Sequence, residues 1–175
     1  MTAQAPVQLS VMTADTLLLS LAAQQRRILG ILDGLSEDSL RRPVLPSGWS
    51  CAGMVSHLTA MTRFWFVAVM TGVRTEPDVD DDFHVPPSVS AASVLDTYRR
   101  VCTEAIAAVR ELPLDTPPAW WPEGVFGDWR LNNFLEVLDH VLVETAAHAG
   151  HLDAARELLD GRTWDWEHGR LADPR

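Results

Sequence analysis

The chain contains four long segments whose apolar residues recur at the three- and four-residue spacing of an α-helix, and no segment with a convincing strand pattern. We predict helices over residues 13–33, 50–71, 90–112 and 132–160, with a short helical turn at 36–40. Glycine or proline follows each long segment at the point where a helix should end. Because helices without a sheet must bury their apolar faces against one another, this pattern predicts an all-α fold, namely a four-helix bundle with long connecting loops.

The length of 175 residues suits one domain built around one core. We therefore expect a single domain over residues 1–175, with its core at about 13–161. Two long connections, 76–87 and 113–129, are long enough to cross the bundle, so the order in which the helices pack stays open.

The overall charge excludes some classes of partner. A net charge of −10 without any basic cluster argues against a nucleic-acid ligand. No apolar run reaches the roughly 18 residues that a membrane span needs, and the first residues do not resemble a secretory signal. We therefore expect a cytoplasmic protein that contacts neither nucleic acid nor membrane.

The basic residues and cysteines indicate where such a chain is made. All 14 basic residues are Arg, which suggests a GC-rich genome such as that of an actinobacterium. Cys51 and Cys102 lack any metal-site spacing, so we expect two free thiols in a reducing compartment.

The last predicted helix carries four metal-ligand side chains in the pattern H-x3-E-x3-H-x2-H, which we call the His/Glu stripe: His140, Glu144, His148 and His151. At 3.6 residues per turn, they share an arc of about 80° on one helix face. Imidazoles and a carboxylate are the ligands of many divalent metals. An ordinary surface pair between Glu144 and His148 is the alternative. Apolar residues border the stripe, which favours a face turned partly inward, and Gly150 suggests the close approach of another element.

The rise of the helix limits which members of the stripe can share one ion. His140 and His148 are about 12 Å apart along the axis, too far for two metal–nitrogen bonds of about 2.1 Å. Three neighbouring pairs remain open, namely His140 with Glu144, Glu144 with His148, and His148 with His151. One helix therefore offers two ligands, and a third must come from elsewhere.

His57 on the second predicted helix is the candidate for that third ligand. Its neighbours one and two turns along, Met61 and Phe64, are apolar, so its side chain points toward the core. A lone histidine on such a face is commonly a satisfied core residue, but a His/Glu stripe on another core-facing helix favours a ligand.

These residues together resemble a known family. The segment Glu144-Thr-Ala-Ala-His148-Ala-Gly-His151-Leu-Asp153, with Trp49 and His57-Leu58, is similar to the DinB/YfiT-like superfamily of metal-binding four-helix bundles. The likeness runs from about Leu17 to Gly161 and is greatest to the actinobacterial branch of mycothiol-dependent transferases, which is related to mycothiol-dependent maleylpyruvate isomerase.

The resemblance implies a ligand set and a cofactor. Carried over to this sequence, the metal ligands are His57, Glu144 and His148, and His151 lies behind a ligand or faces substrate. The metal is expected to be zinc, with nickel or iron as alternatives. His151 or His140 could serve as general base, and Arg156 or Arg63 could hold a substrate carboxylate, with no spacing that selects among them.

The implied function is a metal-dependent thiol transferase or isomerase that activates a low-molecular-weight thiol, mycothiol, for attack on a small electrophile in detoxification. The partners would be that thiol and its electrophile, and a homodimer is expected from the resemblance alone. Three alternatives remain: a non-catalytic metal- or small-ligand-binding protein of stress response, a metal-dependent hydrolase, and a structural bundle without metal.

Two connecting segments carry further expectations. Trp120, Trp121, Phe126 and Trp129 are too many aromatic residues for a solvated loop, so they either wall the open end of the bundle beside the metal or cap the core. The acidic run of residues 78–82 is expected to be a solvated loop.

Overall fold

The computed structural model describes residues 4–74 and 83–174, with side chains from Ala14 onward. Most of these residues are helical. In chain order the elements are α1 (Gln4–Leu32), α2 (Glu37–Arg41), α3 (Cys51–Thr62), a π-helical segment (Arg63–Val69), α4 (Ala91–Val109), α5 (Phe134–Asp160), β1 (Thr163–Asp165) and β2 (Arg170–Ala172).

The predicted helices are confirmed, and the sequence also encodes where they begin. Ser50, Ser90 and Asn133 each accept a hydrogen bond from the backbone N–H three residues later, which caps α3, α4 and α5. Gly161 ends α5 with a φ of 80°, a left-handed conformation that favours glycine. Two boundaries differ by three residues or more. α1 starts at Gln4 rather than near residue 13, ahead of the clear apolar spacing, and α4 ends at Val109 rather than at residue 112.

The second predicted helix changes type in the middle. Its α-helical hydrogen bonding stops at Thr62, and Arg63–Val69 form a π-helical segment before the helix ends at Thr71. A π-helix holds more residues per turn, which changes the direction of the side chains that follow, and such segments are frequent at functional sites. Here it carries Trp65, whose ring contacts His140, and Phe64, whose ring contacts Trp65.

The helices pack in pairs around one core. α1 packs chiefly on α5, and α3 packs chiefly on α4. A smaller contact joins α3 to α5, and α1 touches α4 only lightly. The mostly helical fold is therefore confirmed, while the four-helix-bundle arrangement stays a prediction.

The expectation that the chain forms no strand was wrong. Two three-residue strands form an antiparallel hairpin after α5, in which Trp164 pairs with Leu171. The Trp164 ring occupies the space that a Cβ on Gly30 would need, and the Trp164 N–H donates to Asp153 at 2.7 Å. The hairpin is therefore held against both α1 and α5.

Among the described residues, no helix is sufficiently long and apolar to cross a bilayer.

Candidate metal centre

Three side chains from two helices converge where α3 meets α5. His57 comes from α3, and Glu144 and His148 come from α5 one turn apart. One nitrogen or oxygen atom from each of the three residues lies within 4.8 Å of the others. His148 Nε2 lies 3.3 Å from Glu144 Oε2, and the His57 and His148 rings meet edge to face at 5.1 Å. All three residues are half-buried, so the group lies at the edge of the core and open to solvent on one side.

Among the pairs that helical spacing left open, the convergence favours Glu144 with His148. Glu144 and His148 face the same gap because residues four apart lie on one side of a helix. His57 reaches this gap from the second turn of α3, where apolar neighbours bury the rest of the helix face. In residues 4–74 and 83–174, this is the group found with three ligand side chains close enough to hold one ion.

The surroundings favour the neutral form of the His148 imidazole. Burial lowers the pKa of His148, the nearby His57 lowers this pKa further, and Glu144 partly opposes both effects. A neutral imidazole is the form that binds a metal. The donor set thus combines two imidazoles with one carboxylate, a composition that fits a divalent transition metal.

An aromatic ring from a loop holds His57 in place. Phe83 stacks on His57, with ring centroids 4.3 Å apart and planes 11° from parallel. The Phe83 carbonyl lies so close to Gly53 that a Cβ at this position would overlap with the oxygen. Gly53 therefore allows the Phe83 segment to approach α3, and sequence reasoning missed both residues.

The expectation that Gly150 marks a close approach was wrong. A Cβ at Gly150 would meet no atom within 4 Å, and the residue is exposed. Among the described glycines, the approaches under 3.0 Å lie at Gly30, beneath Trp164, and at Gly53.

His151 lies beside the three candidate ligands. Its Nδ1 is 3.2 Å from His148 Nδ1, so one of these nitrogens carries the proton of a hydrogen bond between them. The centroid of the Trp49 ring lies 6.4 Å from that of the His151 ring, and His151 is exposed. His151 is therefore placed to orient His148, and its part in catalysis stays a prediction.

His140 lies one turn before Glu144, inside an aromatic cluster. Its ring is 4.8 Å from the ring of Trp65 and 5.5 Å from that of Trp129. Burial lowers the pKa of His140, against the opposing charges of Glu144 and Asp139. His140 therefore lies one turn from the candidate ligand Glu144, but its ring contacts are with Trp65 and Trp129.

Residues of the long loop complete that aromatic cluster. Phe126 stacks on Trp65 at 5.7 Å, and Trp121 contacts both rings. Trp121 is 7% exposed, whereas Trp129 is 44% exposed beside His140. Part of the loop therefore belongs to the core, as one of the two expectations had it. Trp129 contacts His140, one turn before Glu144, and the expectation that these residues wall the bundle beside the metal stays a prediction.

Arg156 is buried and bonded within the fold. The residue is 1% exposed, and its guanidinium donates to the carbonyls of Ile31 and Asp33 at 2.7 and 2.8 Å. The remaining donors pair with Asp160 on the same helix. Because its donors are used inside the fold, we assign Arg156 to joining α5 with the end of α1 and not to catalysis.

A cleft opens beside the candidate centre. It has a volume of about 540 Å³, and its walls include Trp49 and Phe83, the rings next to His151 and His57. Arg41, Ser47, Ser50 and His84 supply polar groups elsewhere along the wall.

The acidic run at 78–82 lies outside the described residues, so its expected solvated state stays a prediction.

Comparison with known proteins decides the family. A family model described as mycothiol-S-transferase matches residues 16–161. The chain belongs to the mycothiol-S-transferase family. This confirms the resemblance to the DinB/YfiT-like superfamily that the sequence motif indicated. Searches of curated proteins and of solved structures found no match to the chain.

Membership of the mycothiol-S-transferase family also bears on the substrate. It implies mycothiol, a small-molecule thiol, as a substrate of the chain. The match ends at residue 161, so it includes all three candidate ligands and excludes the C-terminal hairpin.

Proposed function

We propose that this protein is a metal-dependent mycothiol S-transferase whose metal, zinc in our proposal, is held by His57, Glu144 and His148. The observation that carries the proposal is the convergence of these three ligand groups within 4.8 Å in a chain of the mycothiol-S-transferase family. Sites with three protein ligands are typical of catalytic zinc, while structural zinc is closed by four. A divalent ion in this position would favour the thiolate form of a thiol, which is the nucleophilic form.

The thiol in this reaction has to come from a bound substrate. Cys51 and Cys102 are both buried, and burial raises the pKa of their thiols to about 11 and about 12. Neither side chain is therefore a ready nucleophile at neutral pH. This supports a reaction in which the sulfur of mycothiol bonds to the electrophilic carbon and a leaving group departs.

His151 is our candidate for accepting the thiol proton. The residue is exposed, and its Nδ1 faces His148. When His148 holds the metal through Nε2, its Nδ1–H donates to Nδ1 of His151, so neutral His151 carries its own proton on Nε2 and accepts a substrate proton at Nδ1 only by giving up this hydrogen bond. Trp49 and Phe83 bring the 540 Å³ cleft to this edge of the site, and we propose that mycothiol occupies that cleft.

The proposal is tested by conjugation of mycothiol to monochlorobimane. Zinc-loaded protein should accelerate formation of the fluorescent thioether, and His57→Ala should abolish the acceleration. His168→Ala is the matched control, because this exposed histidine lies on the hairpin and pairs with Asp165. Equal rates for the wild type and His57→Ala would contradict the proposal.

Two further measurements separate the alternatives. Ester hydrolysis that needs no added thiol would indicate a metal-dependent hydrolase instead. One metal per chain with no transfer to any of a panel of electrophiles would favour a non-catalytic binding protein.

A further inference from the structure

A second cleft lies on the seam between α1 and α4. It has a volume of about 520 Å³, close to that of the cleft at the metal centre. α1 and α4 contact each other only lightly, so the seam is open along this length. Its walls contain none of the three candidate metal ligands, which lie on α3 and α5.

The charged groups at this cleft are all cations. Arg26 from α1 and Arg99 and Arg110 from α4 line it, and none of the described lining residues is acidic. This differs from the chain as a whole, which has a net charge of −10. Arg99 and Arg110 pair with exposed carboxylates, Asp96 and Glu111, and such surface pairs yield readily to another anion.

One buried polar group lines the same cleft without a hydrogen-bond acceptor among the described residues. Gln25 is 5% exposed and its Nε2 has no partner, whereas the hydroxyl of Tyr98, which is 1% exposed, lies against the Cys102 thiol. Burial keeps the pKa of Tyr98 well above its usual value, so the hydroxyl remains a donor. Buried donors are normally satisfied, and an unsatisfied one calls for a partner.

Much of the remaining wall is apolar. Ala22 and Leu29 line it from α1, and Ile106 and Ala107 line it from α4. The cleft therefore combines an apolar wall with donors from guanidinium and amide groups, and ligand sites are typically apolar with a few placed polar groups. Guanidinium groups suit a carboxylate, which can accept two parallel hydrogen bonds.

We propose that the α1/α4 cleft binds a small organic carboxylate with an apolar body, at a site separate from the metal centre. The carboxylate contacts the arginines at the rim, and the apolar body lies against Leu29 and Ile106. The amide of Gln25 finds an acceptor in the bound ligand or in water that it retains.

The test is calorimetric titration of the zinc-loaded protein with 2-naphthoate, and with 2-naphthamide as its neutral counterpart. We expect naphthoate to bind at one site per chain and naphthamide to bind at least about tenfold more weakly, because it lacks the charge. The double variant Arg26→Gln/Arg99→Gln should weaken naphthoate binding about tenfold or more. Arg100→Gln is the matched control, since Arg100 is the next residue on α4 and pairs with Glu104 outside the cleft.

A second variant separates this cleft from the metal centre, which would also attract a carboxylate. His57→Ala should leave naphthoate affinity unchanged, and loss of binding in this variant would place the ligand on the metal and overturn the proposal. Equal binding of naphthoate and naphthamide, or no binding of either, would also overturn it. Sedimentation completes the test, because a dimer that dissociates in the double variant would make this seam a subunit interface instead.

Discussion

At the residue scale, two glycines in helices show how the backbone shapes the candidate centre. Gly53 lets the Phe83 carbonyl lie against α3, and the Phe83 ring stacks on His57 at 4.3 Å. Gly150 faces open space, although it lies only two residues from His148. The same substitution is therefore expected to have opposite effects at these two positions.

Gly53→Ala should destabilise the fold by about 1–3 kcal/mol, because the new methyl group displaces the Phe83 backbone. It should also weaken metal binding, since Phe83 no longer supports His57. Gly150→Ala should instead stabilise the fold by up to about 1 kcal/mol, the helix-propensity difference between the two residues. Urea denaturation measures the free energy of unfolding of both variants. An unchanged value for Gly53→Ala would contradict the prediction, because it would show that the Phe83 backbone can move aside without cost.

The three candidate ligands should each be needed for metal. Replacing any one of His57, Glu144 and His148 by Ala should lower metal affinity by about 100-fold or more. Replacing a residue that only supports a ligand typically lowers metal affinity by about 10- to 100-fold. Elemental analysis after gel filtration measures this, with His168→Ala retaining the metal of the wild type. Full metal content in any of the three ligand variants would exclude that residue from the site.

At the scale of elements, Arg156 is a buried polar connection between α5 and the end of α1, next to the pair of Arg27 with Asp153. Arg156→Met should destabilise the protein by about 2–4 kcal/mol, because the carbonyls of Ile31 and Asp33 lose a buried charged donor. Metal content should not change. A variant that keeps its stability but loses transfer would give Arg156 the catalytic role that the sequence suggested.

The C-terminal hairpin is a separate stabilising element. Trp164→Ala should cost about 2 kcal/mol, less than the roughly 3–5 typical of a fully buried Trp, because the ring is only half-buried against Gly30. Trp166→Ala is the control, since that ring is 64% exposed and its main contact is a cation–π interaction with Arg27. Equal losses in thermal unfolding would contradict this difference between the two tryptophans.

The sequence predicts elements well where a period exists and poorly where it does not. The long helices repeat an apolar spacing over several turns, and their capping residues mark the starts of α3, α4 and α5. Arg63–Val69 is apolar on nearly every side, so it has no period that could distinguish a π-helix from an α-helix. A three-residue strand such as Thr163–Asp165 is likewise too short to show alternation.

At the scale of the whole molecule, the candidate centre depends on which helices meet. Helical rise excluded a site shared by His140 and His148, but it left three pairs on α5 open. The choice of Glu144 and His148 needs the contact between α3 and α5, which only the family resemblance anticipated. Phe83 could not be predicted from the sequence, because its place beside His57 follows from a loop packing on Gly53.

In our proposal, transfer of mycothiol requires one metal ion held by His57, Glu144 and His148. The most direct measurement is the rate of mycothiol conjugation to monochlorobimane as zinc is added stepwise to metal-free protein. We predict a rate that rises in proportion to bound zinc and reaches a plateau at one equivalent per chain, with no rise in His148→Ala. A metal-free protein that is already fully active, or a His148→Ala variant that follows the wild-type curve, would contradict the account.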